Sequence, residues 1–526
     1  MLQLQQTQTG LHMRMTKLLL LLALITCLST GCAVNPVTGK NELSIISESR
    51  ELTIGAQQYG PSQQSQGGTY SVDPELTDYV NEVGQRLAAV SDRKLPYEFI
   101  VLNDSVPNAW ALPGGKIAIN RGLLMQLDSE AELAAVLGHE IVHAAAKHGA
   151  NAMQRGMVLQ GLLTATALSA ADSEYANYIV GGAQLGAQLI STKYGRNAEL
   201  EADYYGMQYM ARAGYDPAAA INLQETFVQL SEGRQSNWLD GLFASHPPSI
   251  NRVNANKQTA AEIGVQGEVN ARRYMSKTAY LADKQPAYDA FDEAAALAKK
   301  NNLRLANLNL SKAIELEPEE ARFYGLKGDI LLTQQKYREA DQAFSTALTK
   351  DDGYYEYYLG RGLAKSKQGM MQAAREDLIR SNELLPTAVA ANALGEISLN
   401  LGDRSTAKSY FESAMSAGGP VGRKAGNAFL KIDVTDNPIK YLTVKPQLSD
   451  DRELLARLSN TSPASMSEVS LEFLATLNGQ PVRRVVTVRS LASRASGNVS
   501  SGWKIRETDQ LENLNIKVLG AAANFQ

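Results

Sequence analysis

A spacing of 33 or 34 residues runs through the second half of this chain. Gly328 and Gly362 lie 34 apart and Gly395 follows 33 later. Ala340, Ala374 and Ala407 keep the same interval, and so do Phe344, Leu378 and Phe411. Self-similarity at such a period means that one supersecondary unit is stacked repeatedly, because each unit buries its apolar face only against its neighbours. Small residues at one offset let paired helices approach. Bulky ones at another offset fill the groove between successive pairs. Pro318 and Pro386 close two units, and about four units fit between Ala287 and Pro420, the first with Ala294 where glycine is expected.

These offsets resemble the tetratricopeptide repeat, which implies an α-solenoid over residues 285–432; an unrelated array of helical hairpins is the alternative. The remaining length needs other domains, since 526 residues correspond to about three or four. Apolar residues make up 44% and charged residues 20%, which excludes wholesale disorder, collagen and coiled coil. A net charge of −4 gives no electrostatic reason to expect a nucleic-acid partner. The only cysteines are Cys27 and Cys32, so no disulfide framework holds the chain.

Arg14 and Lys17 precede the apolar run Leu18–Ile25, the pattern of a secretory signal too short to span a bilayer. Leu28-Ser29-Thr30-Gly31-Cys32 resembles a bacterial lipobox, so residues 1–31 are expected to be a signal peptide and Cys32 a lipidation site. Ala33 after the cysteine suggests sorting to the outer membrane. The alternative is a plain secreted protein with an unpaired cysteine. Residues 32–70 then read as an N-terminal tether, with Gly60–Gly68 a flexible loop.

Asp73-Pro74 starts a helix carrying Leu76, Val80, Val83 and Leu87 on one face. Tyr97–Leu102 and Lys116–Asn120 read as strands, with the turn Leu112-Pro113-Gly114-Gly115 before the second. Ser129–Ala150 is expected to be one helix. Met157–Ala171 is apolar but stops short of a membrane span, and reads as a packed helix or an active-site wall. From Tyr441 short strand patterns and the hairpin signal Asn478-Gly479 predict a small β-sandwich over residues 438–526.

His139-Glu140-Ile141-Val142-His143 is HExxH. On a helix the two imidazoles project from one face and can hold Zn²⁺, with Glu140 placed to take a proton from an activated water. A third ligand is required. His148, nine residues after His139, falls on the opposite face of a continuous helix and is assigned a structural or supporting role. Glu199 is the better candidate: Glu199 and Asp203 lie one turn apart, so Glu199 can bind the metal while Asp203 accepts the N–H of a ligand histidine. Glu201 points away from that face.

His139–His148 and Arg196–Asp203, with Asn35-Pro36-Val37-Thr38-Gly39 and Asn108–Gly115, resemble the HtpX-like zinc metallopeptidases, gluzincins with HExxH and a distal ExxxD. The resemblance covers about residues 32–420. It implies a mainly α peptidase domain with a small β-sheet over residues 71–265, of α+β class. It also implies one zinc held by His139, His143 and Glu199, Glu140 as general base and then acid, and Asp203 orienting a histidine. Lys116, Ile117, Ala118, Ile119 and Asn120 would form an edge strand that pairs with extended substrate, an internal strand being the alternative. Ser245-His246-Pro247-Pro248 matches the family's SHP segment. His246 would act as a latch on the fourth zinc position or as a donor to the oxyanion, or else be a loop histidine bonded locally.

The expected function is a zinc-dependent endopeptidase of the bacterial envelope, periplasmic and anchored to the outer membrane by lipidated Cys32. Its substrates would be polypeptides, with misassembled outer-membrane proteins implied by resemblance. The repeats would bind clients or the envelope protein-assembly machinery. Nucleic acid is not expected, and membrane attachment is by the lipid alone. The alternatives are a chaperone or adaptor in which proteolysis is latent or secondary, and a non-peptidase zinc hydrolase.

Overall fold

The computed structural model describes residues 32–43, 45–155, 194–232 and 245–525. Residues 1–31, expected to be a signal peptide, and the apolar stretch 157–171 lie outside the described residues. The chain divides into two compact units, residues up to 368 with 383–385, and residues 369–382 with 386–526.

The first unit opens on an antiparallel pair, β1 (Cys32–Val34) and β2 (Asn41–Leu43). Helix α1 (Glu48–Ser65) follows, capped by Ser47. It corrects two expectations, since Gly60–Ser65 is helical and the stretch read as a tether is packed into the body. Glu51 is buried in a two-pronged pair with Arg93, each N···O distance 2.8 Å. Gln64 donates to Gly353 O at 2.7 Å and accepts from Tyr355 N at 2.8 Å. These tertiary bonds override the helix-breaking composition around Gly60 and Pro61.

Helix α2 (Pro74–Ala88) begins as the sequence requires: Asp73 accepts from Leu76 N, Pro74 takes the first turn, and Leu76, Val80, Val83 and Leu87 are buried. Strands β3 (Glu98–Leu102), β4 (Ala109–Leu112) and β5 (Lys116–Asn120) form one sheet in the order β3-β5-β4. Lys116–Asn120 is therefore the central strand, parallel to β3 and antiparallel to β4, and not an edge. The hairpin Pro113-Gly114-Gly115 folds β5 back on β4, and β3 closes its other side. Both glycines have positive φ, 81° and 85°, which the tight turn demands.

Helix α3 (Glu130–Ala145) starts at Ser129, whose side chain accepts from Glu132 N, and is buried along its whole length. It does not continue to Ala150. Lys147 adopts a left-handed φ of 60°, and residues 148–155 are helical again on a new axis. The Ala146 carbonyl left free at the break accepts a hydrogen bond from Asn35 Nδ2 at 3.0 Å. Helix α4 (Arg196–Arg212) packs on α3, with α5 (Ala219–Glu232) and α6 (Ile250–Ile263) beside it. At the α3–α4 crossing Gly206 faces Gly138; a Cβ on Gly206 would lie 3.1 Å from His139 N.

Two helix pairs of the repeat follow, α7 (Ala279–Lys299) with α8 (Leu303–Leu316) and α9 (Ala321–Thr333) with α10 (Tyr337–Lys350). Ala294, Ala306, Ala313 and Ala340 are fully buried, and the Phe344 ring lies where a Cβ on Gly328 or Gly360 would sit. Gly360 is thus a small residue that Phe344 needs in the next helix. One apolar cluster runs from Leu76 and Val80 to Tyr288 and Phe323, so the sheet-bearing part and the first repeats share a core.

Helices α11 (Tyr355–Lys367) and α12 (Met371–Leu384) come next in the chain. In the second unit α13 (Ala388–Asn400), α14 (Arg404–Met415) and α15 (Gly419–Asp436) keep the pattern, with Phe411 against Gly395 and Ala407 buried. Six strands complete it: β6 (Leu442–Leu448), β7 (Glu453–Asn460), β8 (Ser465–Leu477), β9 (Gln480–Leu491), β10 (Ser496–Lys504) and β11 (Leu511–Asn524). They make two antiparallel sheets, β10-β7-β6 and β11-β8-β9. Asn478 and Gly479, both at positive φ, form the two-residue turn between β8 and β9. Strand β10 carries no apolar alternation in its sequence; its Ser-, Gly- and Asn-rich residues are held by pairing with β7. No described helix is long and apolar enough to cross a membrane.

Candidate metal centre

Three segments converge below the sheet. His139 and His143 project from one face of α3, Glu199 from the first turn of α4, and His246 from the stretch before α6. One ligand atom from each lies within 4.8 Å of the others, and all four residues are buried. The two Nε2 atoms of His139 and His143 are 3.0 Å apart. Glu199 reaches them with Oε2 3.6 Å from His139 Nε2 and Oε1 3.5 Å from His143 Nε2. His246 Nδ1 stands 3.1 Å from Glu199 Oε1 and 3.3 Å from His139 Nε2.

The surroundings fix the ring tautomers. Asp203 Oδ1 is 2.9 Å from His139 Nδ1. A carboxylate accepts only, so Nδ1 carries the proton and Nε2 keeps its lone pair. When His143 also turns its Nε2 lone pair inward, the two nitrogens repel at this distance unless a cation lies between them. An ion bound tetrahedrally at ~2.0–2.1 Å holds its nitrogen ligands about 3.3 Å apart, so the donor set suits a tetrahedral divalent metal.

Arg252, which the sequence reading left without a role, ties the acids together. Its Nε donates to Asp203 Oδ2 and its Nη2 to Asp203 Oδ1, both at 2.7 Å, and Nη1 lies 2.9 Å from Glu199 Oε2. Burial alone would raise the Asp203 carboxyl, but Arg252 and His139 bring it below its ordinary value. Burial is likewise outweighed at Glu199, which His246, His143 and His139 hold well below the carboxylate range. Glu140 goes the other way, raised mainly by burial. Its Oε2 has no hydrogen-bond partner among the described residues, and its Oε1 is 3.6 Å from His246 Nε2. One carboxylate kept ionised beside another kept basic suits general-base chemistry.

Two neighbours complete the surroundings: Tyr194, which the sequence reading missed, and His148, which it placed in a supporting role but on the opposite face. Tyr194 stacks on His143 with ring centroids 3.9 Å apart and planes 21° apart. His148 does not point away: the break at Lys147 returns its Nδ1 to 2.9 Å from His143 Nδ1. A helical wheel cannot show this, because it presumes a continuous helix. Glu201 points away from the cluster as expected, yet its Oε1 is 3.3 Å from His148 Nε2.

Lys116–Asn120 does not border the cluster as an edge. Strand β4 has its outer side unpaired among the described residues. Its Ala109 lines a small recess against His139 and Glu140, walled by Val136, Leu223 and Phe227.

Residues 74–260 match the model of peptidase family M48, and residues 321–350 that of a tetratricopeptide repeat. The chain is 27% identical over 308 residues to the beta-barrel assembly-enhancing protease of Yersinia pestis, covering 53% of this chain and 63% of that protein. It is 34% identical over 198 residues to the mitochondrial metalloendopeptidase OMA1 of Schizosaccharomyces pombe, covering 37% and 56%. It is 27% identical over 258 residues to metalloprotease YcaL of Escherichia coli (strain K12), covering 46% and 96%. The chain thus spans under two thirds of the first two of these relatives. The match to the family M48 peptidase model thus precedes the match to a tetratricopeptide repeat along the chain.

Proposed function

We propose that this chain is a zinc-dependent endopeptidase of the bacterial cell envelope. The observation that carries the reading is the convergence of His139, His143 and Glu199 on one buried point with Glu140 beside it. His139, His143 and Glu199 hold the metal. Bound there, zinc supplies the Lewis acidity that polarises a peptide carbonyl and makes water acidic near neutral pH. Glu140 takes the proton of the attacking water and passes it to the leaving amine. Asp203 keeps His139 in the ligating tautomer. The outer side of β4 receives the substrate in extended form, and the adjoining recess takes a side chain.

His246 is the latch. Its place within the ligand cluster supports this over the oxyanion role, and it favours an enzyme that is latent at rest. His246→Ala should then cleave casein faster than wild type; slower cleavage would restore the oxyanion reading. The names of the relatives support envelope proteins as clients, bound through the repeats. We also read Cys32 as lipidated and anchoring the chain to the outer membrane, residues 71–265 as the peptidase domain, 285–432 as the repeats and 438–526 as a β-sandwich.

Glu140→Gln tests the central assignment. It should bind one zinc per chain as wild type does, and lose about 10²–10⁴-fold in casein cleavage. Cleavage at the wild-type rate would remove Glu140 from the mechanism. If the same variant supports envelope assembly fully in cells, the adaptor function dominates. Cys32→Ser should leave the membrane fraction; if it stays, the anchor lies elsewhere.

A further inference from the structure

The motif Asn35-Pro36-Val37-Thr38-Gly39 and the side chain of His148 have no part in the chemistry above, and the structure joins them. Asn35 Oδ1 accepts from Val37 N at 3.0 Å and Thr38 N at 3.2 Å, which shapes the turn, and Gly39 at φ 69° completes it. The turn is fastened to the end of the HExxH helix by Asn35 Nδ2, which donates to Ala146 O. It presents Lys40, whose Nζ lies 3.3 Å from Glu201 Oε2. Glu201 Oε1 meets His148 Nε2, and His148 Nδ1 meets His143 Nδ1.

The order of protons along this chain follows from its ends. The Glu201 carboxylate accepts, so His148 Nε2 carries hydrogen and a neutral His148 offers the lone pair of Nδ1. His143 Nδ1 must then be the donor, which leaves the Nε2 lone pair facing the cluster. Asp203 does the same for His139 directly. His143 has no carboxylate of its own at Nδ1 among the described contacts, and a histidine relays one.

We propose that His148, held by Glu201 and Lys40, is the positioning residue for His143, and that the Asn35–Lys40 turn is the clip that keeps this relay in register. This presupposes the reading above, in which His143 holds the metal. A partner on the far nitrogen of a ligand histidine fixes its tautomer and raises its basicity, and losing it costs ~10–100-fold in metal affinity. The hydrogen bond, not the bulk of the ring, is what counts.

Zinc affinity by chelator competition, with the visible spectrum of the cobalt-substituted full chain, tests this. His148→Phe, which keeps the ring's volume, should bind zinc ~10–100-fold more weakly and shift the cobalt bands. His148→Asn, whose amide oxygen can accept from His143, should recover most of the affinity. Glu201→Ala should weaken binding in the same direction, and adding it to His148→Phe should cost nothing further, because both act through one bond. Lys40→Met alters an exposed side chain and provides a variant that folds if the buried ones do not; it too should lower affinity. Wild-type affinity and spectrum in His148→Phe, or additive losses in the double variant, would overturn the relay while leaving the metal site standing. A wild-type chain that binds no zinc would overturn both.

Discussion

Arg252 is the residue on which the site's charge balance turns. It is 4% exposed and faces the carboxylates of Asp203 and Glu199. Removing one member of such a buried set leaves the others uncompensated, at about 3–5 kcal/mol. Metal-free Arg252→Met should therefore unfold at lower denaturant than metal-free wild type at pH 7. The pH dependence has a definite sign. Asp203 and Glu199 titrate below their ordinary values in the folded protein. Their contribution is present above the unfolded carboxylate values, near 3.9 and 4.3, and is lost as pH falls through the folded ones. The gap between wild type and variant should thus shrink toward acid pH, and a gap that grows there would contradict the pairing. Of these residues the sequence displays the ligand set, because HExxH and ExxxD each place two side chains one helical turn apart. Arg252 and His148 are invisible to that logic. Arg252 reaches α4 from another helix, and His148 reaches His143 only because Lys147 leaves the helical conformation.

Glu199 and His139 meet only because α3 and α4 lie close, and Gly138 and Gly206 set that approach. A side chain at Gly206 pushes on His139 N and on the Gly138 carbonyl carbon, 3.1 and 3.2 Å from its Cβ. Gly206→Val should separate the helices, cost ~1–3 kcal/mol in stability and lower kcat/KM on the order of 10²-fold, since small misplacements of reacting groups are expensive. Stability and casein kinetics on the one variant check it; full activity would show that the crossing tolerates the displacement. Neither glycine stands out in the sequence, where each is one small residue inside a helical pattern. The same limit explains the strand assignments. The run Lys116–Asn120 announces a strand by its alternation with apolar residues, but its place in the sheet depends on β3 pairing in parallel from the other side. Nothing local in the residues specifies that partner.

Across the whole first unit the repeat period and the HExxH motif belong to one body. Each can be read by itself, because a helical hairpin and an i, i+4 pair are local patterns. Their union cannot, because it is made by residues far apart in the chain. The Arg121 guanidinium lies 3.6 Å above the Tyr288 ring and bonds to Asn103 and Ser105. Asn103 donates to both oxygens of Glu320 at 3.0 Å, and Arg322 donates to the Asn103 carbonyl. Arg121 opens the helical turn that directly follows β5, so the first repeat is braced against the sheet that flanks the metal cluster. Tyr288 is 1% exposed, and its replacement by alanine opens a cavity and uncovers a buried guanidinium. Tyr288→Ala should cost ~3–5 kcal/mol. The decisive feature is where the loss appears. If the sheet and the first repeats unfold as one cooperative body, release of bound metal and loss of helical signal in urea should move together to lower denaturant. Metal release at the wild-type midpoint, with only part of the helical signal lost early, would show instead that the repeats unfold from the peptidase as a separate body.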